Sequence, residues 1–344
     1  MYRFDSDYLA GAHPAVLEAL CRTNGESTPG YGEDEYCRAA RERIRSLCGL
    51  PEAEVHFLTG GTQANRTVIA SLLRPHQGVV CADTGHIAVH ETGAVENAGH
   101  KVLTVPGLNG KLTADALEAL CEAHFADASF EHTVQPGMVY ISNPTEIGTV
   151  YTASELRALR EICLRRGLPL YIDGARLGCA LVSAVCDYTL PEMAAMCDVF
   201  TIGGTKLGAL FGEAVVFSTP ALARDFRYLI KQNGGMLAKG RLLGVQFQAL
   251  LEDDLYWRIA RQEVAQAMRL QDAFTAKGWE MLVDSPTNQQ FPILTPEAAE
   301  ALEKDYSFAR WQTLPDGKVC VRFCTGWNTT DEEIDSLIDA VPQA

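Results

Sequence analysis

The sequence predicts an α/β architecture: a mainly parallel, seven-stranded sheet sandwiched by helices, followed by a smaller α+β unit. Three observations carry that prediction. From about residue 50, short runs that are apolar throughout alternate with amphipathic stretches of helix length, as in strands buried on both faces. After residue 218 the alternation gives way to a long helical region and then to short strand-like runs. The 344 residues, 47 % hydrophobic and 21 % charged, suffice for one large domain and a smaller one.

The strand runs are VHFL (55–58), GVVCA (78–82), KVLTV (101–105), GMVYIS (137–142), LPLYID (168–173), DVFTI (198–202) and EAVVF (213–217). Between them, TQANRTVIASLL and TASELRALREICLRRG have helical periodicity, the second opened by a capping Thr or Ser and closed by Gly. Too few residues join the last two strands for a helical crossover, so one of the pair runs antiparallel. The stretch LAKGRLLGVQFQALLEDDLYWRIARQEVAQAMRLQDAF reads as one long helical region. Short strands near 279–294 and 318–323 follow, and TTDEEIDSLIDAV is a capped final helix. The predicted organisation is an N-terminal segment, 1–45, packing with the small domain, a large domain over 46–240, and a small domain over 241–344.

Charge and cysteine usage narrow the function. A net charge of −15, with both signs intermixed, argues against nucleic acid or an anionic membrane as partner, while leaving room for an anionic small molecule in a local basic pocket. The eleven cysteines are scattered and form no C-x-x-C pair, so they read as small core residues in a reducing cytoplasm rather than a disulfide scaffold or zinc site. The start, MYRFDSDYLAGAHP, does not read as a secretory leader, and no apolar run has membrane-spanning length.

Four places carry chemistry. VHFL runs into TGGTQAN (59–65), which opens a helix; two glycines at a strand-to-helix turn, with Gly61 and Thr62 at the helix start, suit a single phosphate. The pattern is neither G-x-x-x-x-G-K-[ST] nor G-x-G-x-x-G, so ATP and dinucleotides are not indicated. A tight turn with a capping threonine is the structural alternative. Asp173 closes the apolar strand of YIDGARLG, at the strand edge where open α/β sheets bind ligands, with Arg176 three residues on; an Asp173–Arg176 pair or a helix cap would also account for it. Lys206 stands alone in the apolar, glycine-rich VFTIGGTKLGALFGEAVVF, where a buried ammonium is costly unless paired, neutralised or covalently used. Snorkelling to solvent is the alternative. His86 follows VVCAD at the same sheet edge.

One cofactor needs a phosphate site, a lysine and a carboxylate together. Pyridoxal 5'-phosphate has a phosphate, an aldehyde that joins a lysine through a C=N bond, and a pyridine nitrogen that a carboxylate keeps protonated. Lys206, Asp173 and the Gly61–Thr62 turn supply the parts, and His86 is placed to lie over the ring.

The ordered set TGGTQAN, DTGHIAVHETG, YIDGARLG, GGTKLG and KQNGG resembles the low-specificity L-threonine aldolases, fold-type-I pyridoxal-phosphate enzymes of the β-eliminating lyase group. The likeness runs from DSDY (5–8) through GYGEDEY (30–36) to VRFCTGWNTTDEEIDSLI (321–338). It implies that Lys206 carries the cofactor, Asp173 meets the pyridine nitrogen, His86 stacks on the ring, and Arg176 contacts the phenolic oxygen or the substrate. It further implies Gly61 and Thr62 at the phosphate, and Ser6 and Arg322 at the substrate α-carboxylate. Tyr31 falls at the active-site mouth, and His132 corresponds to a second active-site histidine at altered spacing. Thr205 stands where the family has serine. NGGMLAKG (233–240) lacks the arginine by which a neighbouring subunit reaches the phosphate, leaving Lys239 or Lys231 for that task. The resemblance implies a homodimer or homotetramer with the site at a dimer interface.

The reaction so implied is retro-aldol cleavage of a β-hydroxy-α-amino acid, threonine or allo-threonine giving glycine and acetaldehyde, with His86 or His132 as base. β-Elimination, transamination or decarboxylation on the same scaffold, and a cofactor-free binding protein, are the rival readings.

Overall fold

The computed structural model describes residues 1–344. In chain order, β1 (Tyr2–Arg3), α1 (Pro14–Thr23) and α2 (Glu35–Cys48) come first. The alternating region comprises β2 (Glu54–Leu58), α3 (Gly61–Leu72), β3 (Gln77–Ala82), α4 (His86–Val89), α5 (Ala94–Asn97), β4 (Val102–Val105), α6 (Ala114–Ala126) and β5 (Gln135–Ser142). It continues through α7 (Ala153–Arg166), β6 (Leu170–Asp173), α8 (Leu177–Val182), α9 (Leu190–Ala195), β7 (Val199–Gly203) and β8 (Glu213–Phe217). Next come α10 (Phe226–Gln232), α11 (Arg241–Leu251), α12 (Leu255–Ala276), β9 (Glu280–Met281), β10 (Gln289–Gln290) and β11 (Pro292–Leu294). The chain closes with α13 (Pro296–Leu302), β12 (Tyr306–Ser307), β13 (Ala309–Thr313), β14 (Val319–Cys324) and α14 (Asp331–Ala340).

The seven apolar runs are the seven strands of the central sheet, in the order β2-β8-β7-β6-β5-β3-β4. β6, β7 and β8 are buried at every position, which is why their sequence shows no alternation. β3 to β7 are mutually parallel, and β8 is antiparallel to both β7 and β2, as the short β7–β8 connection requires. From neighbouring β3 and β5 the chain moves outward in opposite directions, so the topological switch lies between their carboxyl ends. Helix starts follow the capping chemistry: Thr152 and Thr330 form capping boxes with Glu155 and Glu333, and Gly167 ends α7 in the left-handed conformation, φ 68°.

The long helical stretch is two helices. EDD at 252–254 interrupts it, with Asp253 and Asp254 at φ 47° and 61°, a conformation short acidic side chains tolerate better than most. α11 and the first half of α12 contribute Leu243, Phe247, Leu250, Ile259 and Val264 to the large core. A separate core takes Phe4 together with Leu270, Phe274, Phe323, Ile334 and Leu337. The first 45 residues divide between the two rather than packing with the small unit as a whole. β1 pairs with β12, whereas α1 and α2 bury Val16, Cys37, Ala40 and Ile44 in the large core. β13, paired with β14, is an additional strand, one that residue pattern hides because none of its residues is fully buried and three of the five are exposed.

Candidate active site

At the carboxyl edge of the sheet a cavity of about 230 Å³ opens, lined by Gly60, Gly61, Thr62, His86, Asp173, Arg176, Thr205, Lys206 and Glu213 among others. β2 feeds directly into the turn that starts α3. Gly60 caps that helix with no side-chain hydrogen bond, so the first N–H groups of α3 are left for a ligand. Thr59 is occupied elsewhere, its N–H and hydroxyl both donating to Gln63 Oε1. A Cβ at Gly60 or Gly61 would meet nothing within 4 Å. The glycines are therefore not demanded by the chain's own packing, and what they leave open is the approach to the helix terminus.

Asp173 ends β6 on the cavity floor, 6 % exposed. Asn65 Nδ2 donates to its Oδ2 at 2.9 Å, Tyr140 OH to the same oxygen at 2.7 Å, and the Ala175 N–H to Oδ1 at 2.9 Å. These contacts lock the carboxyl's orientation. Tyr171 in turn donates to Asn65 Oδ1 at 2.6 Å, so the network is anchored in the sheet. Arg176 does not pair with Asp173. Its guanidinium is bound to Asp7, with Nη2 3.0 Å from Oδ1. Burial pushes the Asp7 carboxyl up, but Arg176 and then Lys206 outweigh it and hold it at about 2.

Lys206 follows β7 and is half-buried, its Nζ 5.9 Å from the centre of the Tyr8 ring. Burial and then the Arg176 charge lower its proton affinity, against the pull of Asp7, Asp173 and Glu213. The Thr205 hydroxyl donates to Glu213 Oε1 at 2.9 Å and accepts from the Gly212 N–H.

His86 begins α4, beside the switch point. Its Nδ1 lies 2.9 Å from Oε1 of the buried Glu91, and its backbone N–H donates to Glu146 Oε1 at 2.8 Å. Burial depresses the imidazole, yet the Glu91 hydrogen bond and the charges of Asp173 and Glu91 prevail and raise it above its ordinary value. Nδ1 being engaged, Nε2 is the nitrogen available for chemistry.

Ser6 and Arg322 do not line the cavity itself; Arg322 reaches it through His90, which feels its charge and whose ring lies 5.5 Å from that of His86. Arg322 Nη2 donates to the carbonyl of Asp5 at 2.8 Å, and its guanidinium stacks 5.3 Å over Trp311. Ser6 Oγ and Arg322 Nε are both buried without a partner. Four expected residues, His132, Tyr31, Lys239 and Lys231, are not brought to this cavity within one chain. His132 is exposed and precedes β5 at the amino end, about 20 Å along the strand from Ser142 and the site. It is dropped as a base for that reason. Tyr31 (φ 60°) is exposed and lies by Arg227, Tyr228 and Lys231 instead. Lys239 and Lys231 are exposed outside the cavity, Lys231 Nζ being 4.8 Å from the Tyr31 ring centre.

Sequence reading passed over Asp7, Asn65, Glu91, Tyr140, Glu146 and Glu213. Asn65, Glu91 and Asp7 sit inside the stretches TGGTQAN, HETG and DSDY that it singled out. Glu213, a lone acid heading the apolar EAVVF, is visible by the criterion that isolated Lys206. Tyr140, in mid-strand, carries no signal.

The donor set fits pyridoxal phosphate. An uncapped helix N-terminus beside open glycines suits its phosphate, an amine of lowered proton affinity suits its aldehyde, and an oriented buried carboxyl suits its ring nitrogen. The unpartnered Ser6 Oγ and Arg322 Nε fit the carboxylate of an amino acid.

Comparison with known proteins agrees. The sequence model of the beta-eliminating lyase family matches residues 3–295. A low specificity L-threonine aldolase of Pseudomonas sp. (strain NCIMB 10558) is 32 % identical over 339 residues, 97 % of this chain and 95 % of that protein. That of Pseudomonas aeruginosa is 31 % identical over 342 residues, with the same coverage. The solved structure of Leishmania major threonine aldolase superposes with a TM-score of 0.96 at 41 % identity, covering 99 % of this chain and 98 % of that one. Aspartate aminotransferase from Thermus thermophilus shares the fold, with a TM-score of 0.70 at 15 % identity over 99 % of this chain and 90 % of that one. By its motifs, its fold and its near full-length match, the chain belongs to the beta-eliminating lyase family.

Proposed function

We propose that this chain is a pyridoxal-phosphate-dependent lyase that cleaves β-hydroxy-α-amino acids by retro-aldol reaction, with L-threonine and L-allo-threonine giving glycine and acetaldehyde. The observation that carries the reading is the convergence of Lys206, Asp173 and His86 with the uncapped start of α3 in one cavity. Full-length similarity to proteins named threonine aldolase selects this reaction over elimination or transamination.

When bound, pyridoxal phosphate supplies an electrophilic aldehyde and an electron sink for a bond broken at Cα. The chain's residues do the rest. Gly61 and Thr62 would hold its phosphate, Lys206 would meet its aldehyde and Asp173 its ring nitrogen. Ser6 Oγ and Arg322 grip the substrate α-carboxylate, which sets the orientation of the other bonds at Cα. His86, oriented by Glu91, would accept the β-hydroxyl proton at Nε2 as the Cα–Cβ bond breaks and the aldehyde leaves, and one proton delivered to Cα completes glycine and balances the step. Arg176, fixed by Asp7, faces the cavity as its permanent cation. A second copy of the chain, bringing Tyr31 and Lys239 or Lys231 to the mouth of the site, completes the proposal; the exposure of these residues is compatible with it.

Purified protein loaded with pyridoxal phosphate should release glycine and aldehyde from L-threonine, L-allo-threonine or phenylserine. Its visible absorbance should be lost on borohydride treatment and absent in Lys206→Ala. Pyruvate and ammonia from serine, with no aldehyde from any of the three, would replace this reading with elimination.

A further inference from the structure

β8 opens on an acid in a place that favours none. Glu213 is 4 % exposed and stands opposite Gly203 of β7 and Leu58 of β2, where the lysine loop and the turn into α3 begin. Oε1 accepts from the hydroxyl of Thr205, the residue adjoining Lys206; Oε2 is buried with no partner. No step assigned above uses this carboxyl. An ionised carboxylate kept there without a counter-charge is strongly disfavoured, so the group either stays neutral or answers to a nearby cation.

The surroundings leave one candidate for that cation. Lys206 and Asp173 line the same cavity as Glu213 and are the charged groups that act on it most strongly. Tyr171 on β6 and Tyr256 on α12 feel its charge, but burial keeps both phenols from ionising. On the same face of β2, His56 is pushed down to about 3 by burial and stays neutral. Lys206 is itself faced by Arg176, Asp7, Asp173 and His86. Of these, the permanent cation is engaged with Asp7 and the imidazole with Glu91.

We propose that Glu213 is a positioning residue that governs when the nitrogen of Lys206 carries a proton, passing between its ionised and neutral forms as that nitrogen gains and loses its charge. The inference rests on the reading of Lys206 as the cofactor-bearing lysine. While the nitrogen is charged, the ionised carboxylate compensates it across the Thr205 turn. The pair shares one proton, held either on the nitrogen with the carboxylate ionised or on the carboxyl with the nitrogen neutral, and releases it to solvent as pH rises through the midpoint. The Thr205 hydroxyl donates equally to a carboxylate oxygen and to the carbonyl oxygen of the neutral acid, so the contact survives the change. Burial raises Glu213 to about 8 and lowers Lys206, which brings the two groups toward one range, the condition for a coupled titration.

The test is a pH titration of the visible absorbance of the holoenzyme, from about pH 6 to about pH 10, in the wild type, Glu213→Gln and Glu213→Asp. Glutamine keeps an acceptor for Thr205 and removes the charge. Its midpoint should fall by about one pH unit, because the negative charge that favours the protonated nitrogen is gone. Aspartate, with the charge drawn back by one methylene, should shift the midpoint in the same direction by less, and it decides the matter if the glutamine variant does not fold. Midpoints unchanged in folded, cofactor-loaded variants overturn the inference and leave the Lys206 assignment standing. A wild type with no borohydride-sensitive band overturns both.

Discussion

The guanidinium of Arg176 is held by the carboxylate of Asp7, 169 positions earlier in the chain, with Nη2 3.0 Å from Oδ1. The N-terminal segment is thereby tied to a residue that lines the cavity, and Asn288 of the small unit donates to the same carboxylate at 2.9 Å. Asp7→Asn should lower stability by about 3–5 kcal/mol at neutral pH, since it leaves a buried arginine uncompensated. The wild-type advantage has a defined pH dependence. The folded carboxyl, at about 2, lies below its ordinary 3.8, so its contribution is complete above that ordinary value and disappears as pH falls through about 2. Denaturation midpoints of the two proteins should therefore converge between about pH 4 and about pH 2; a constant gap would show that Asp7 acts through packing alone.

His86 and Glu91 make a second prediction. The imidazole is raised above its ordinary value chiefly against the opposing effect of burial, by the Glu91 hydrogen bond and the nearby carboxylates. A base must be neutral to accept a proton, so activity falls on the acid side of that value. Glu91→Gln lowers the proton affinity and should move the acid limb of kcat/KM to lower pH by about one unit. An unmoved limb would take the base assignment away from His86.

Gly61 separates fold from ligand. A methyl group there touches nothing in the chain, so Gly61→Ala should leave the cofactor-free protein as stable as before, or up to about 1 kcal/mol more stable. It should weaken pyridoxal phosphate binding by at least about tenfold, a loss of about 1.4 kcal/mol, read by titrating the apoprotein with cofactor. Unchanged affinity would mean that the phosphate does not approach the start of α3.

Arg322 is tested by the split between kinetic constants. Arg322→Lys keeps the charge but loses the planar fork and the stacking on Trp311. KM for L-threonine should rise on the order of 10-fold to 100-fold, with a smaller effect on kcat. A variant with wild-type KM would exclude Arg322 from the substrate carboxylate.

Much of this molecule could be read from the order of its residues, because the physics involved is local. Strands buried on both faces must be apolar throughout, which exposed β3 and β5 to β8 most clearly, while the two edge strands β2 and β4 are only partly buried. A turn of two glycines entering a helix, an acid at a strand end and a lysine in an apolar run announced the cofactor chemistry, since each is unfavourable without a ligand. What could not be read is pairing across distance. Asp7 claims Arg176, Glu91 orients His86, and Tyr140 with Asn65 fixes Asp173, yet each partner looks like an ordinary polar residue in its own segment. His132 fails for the same reason in reverse: a histidine near a strand resembles His86 until the strand's direction puts it at the opposite edge.

The chain by itself determined the layered sheet, the sheet edge that binds, and the class of chemistry, because periodicity and burial cost are written residue by residue. Only the tertiary structure decided which carboxylates serve which cations, how the first 45 residues divide between two cores, and where the long helix breaks. Those outcomes depend on the geometry of groups far apart in sequence, where a few ångströms separate an ion pair from an unpaired charge.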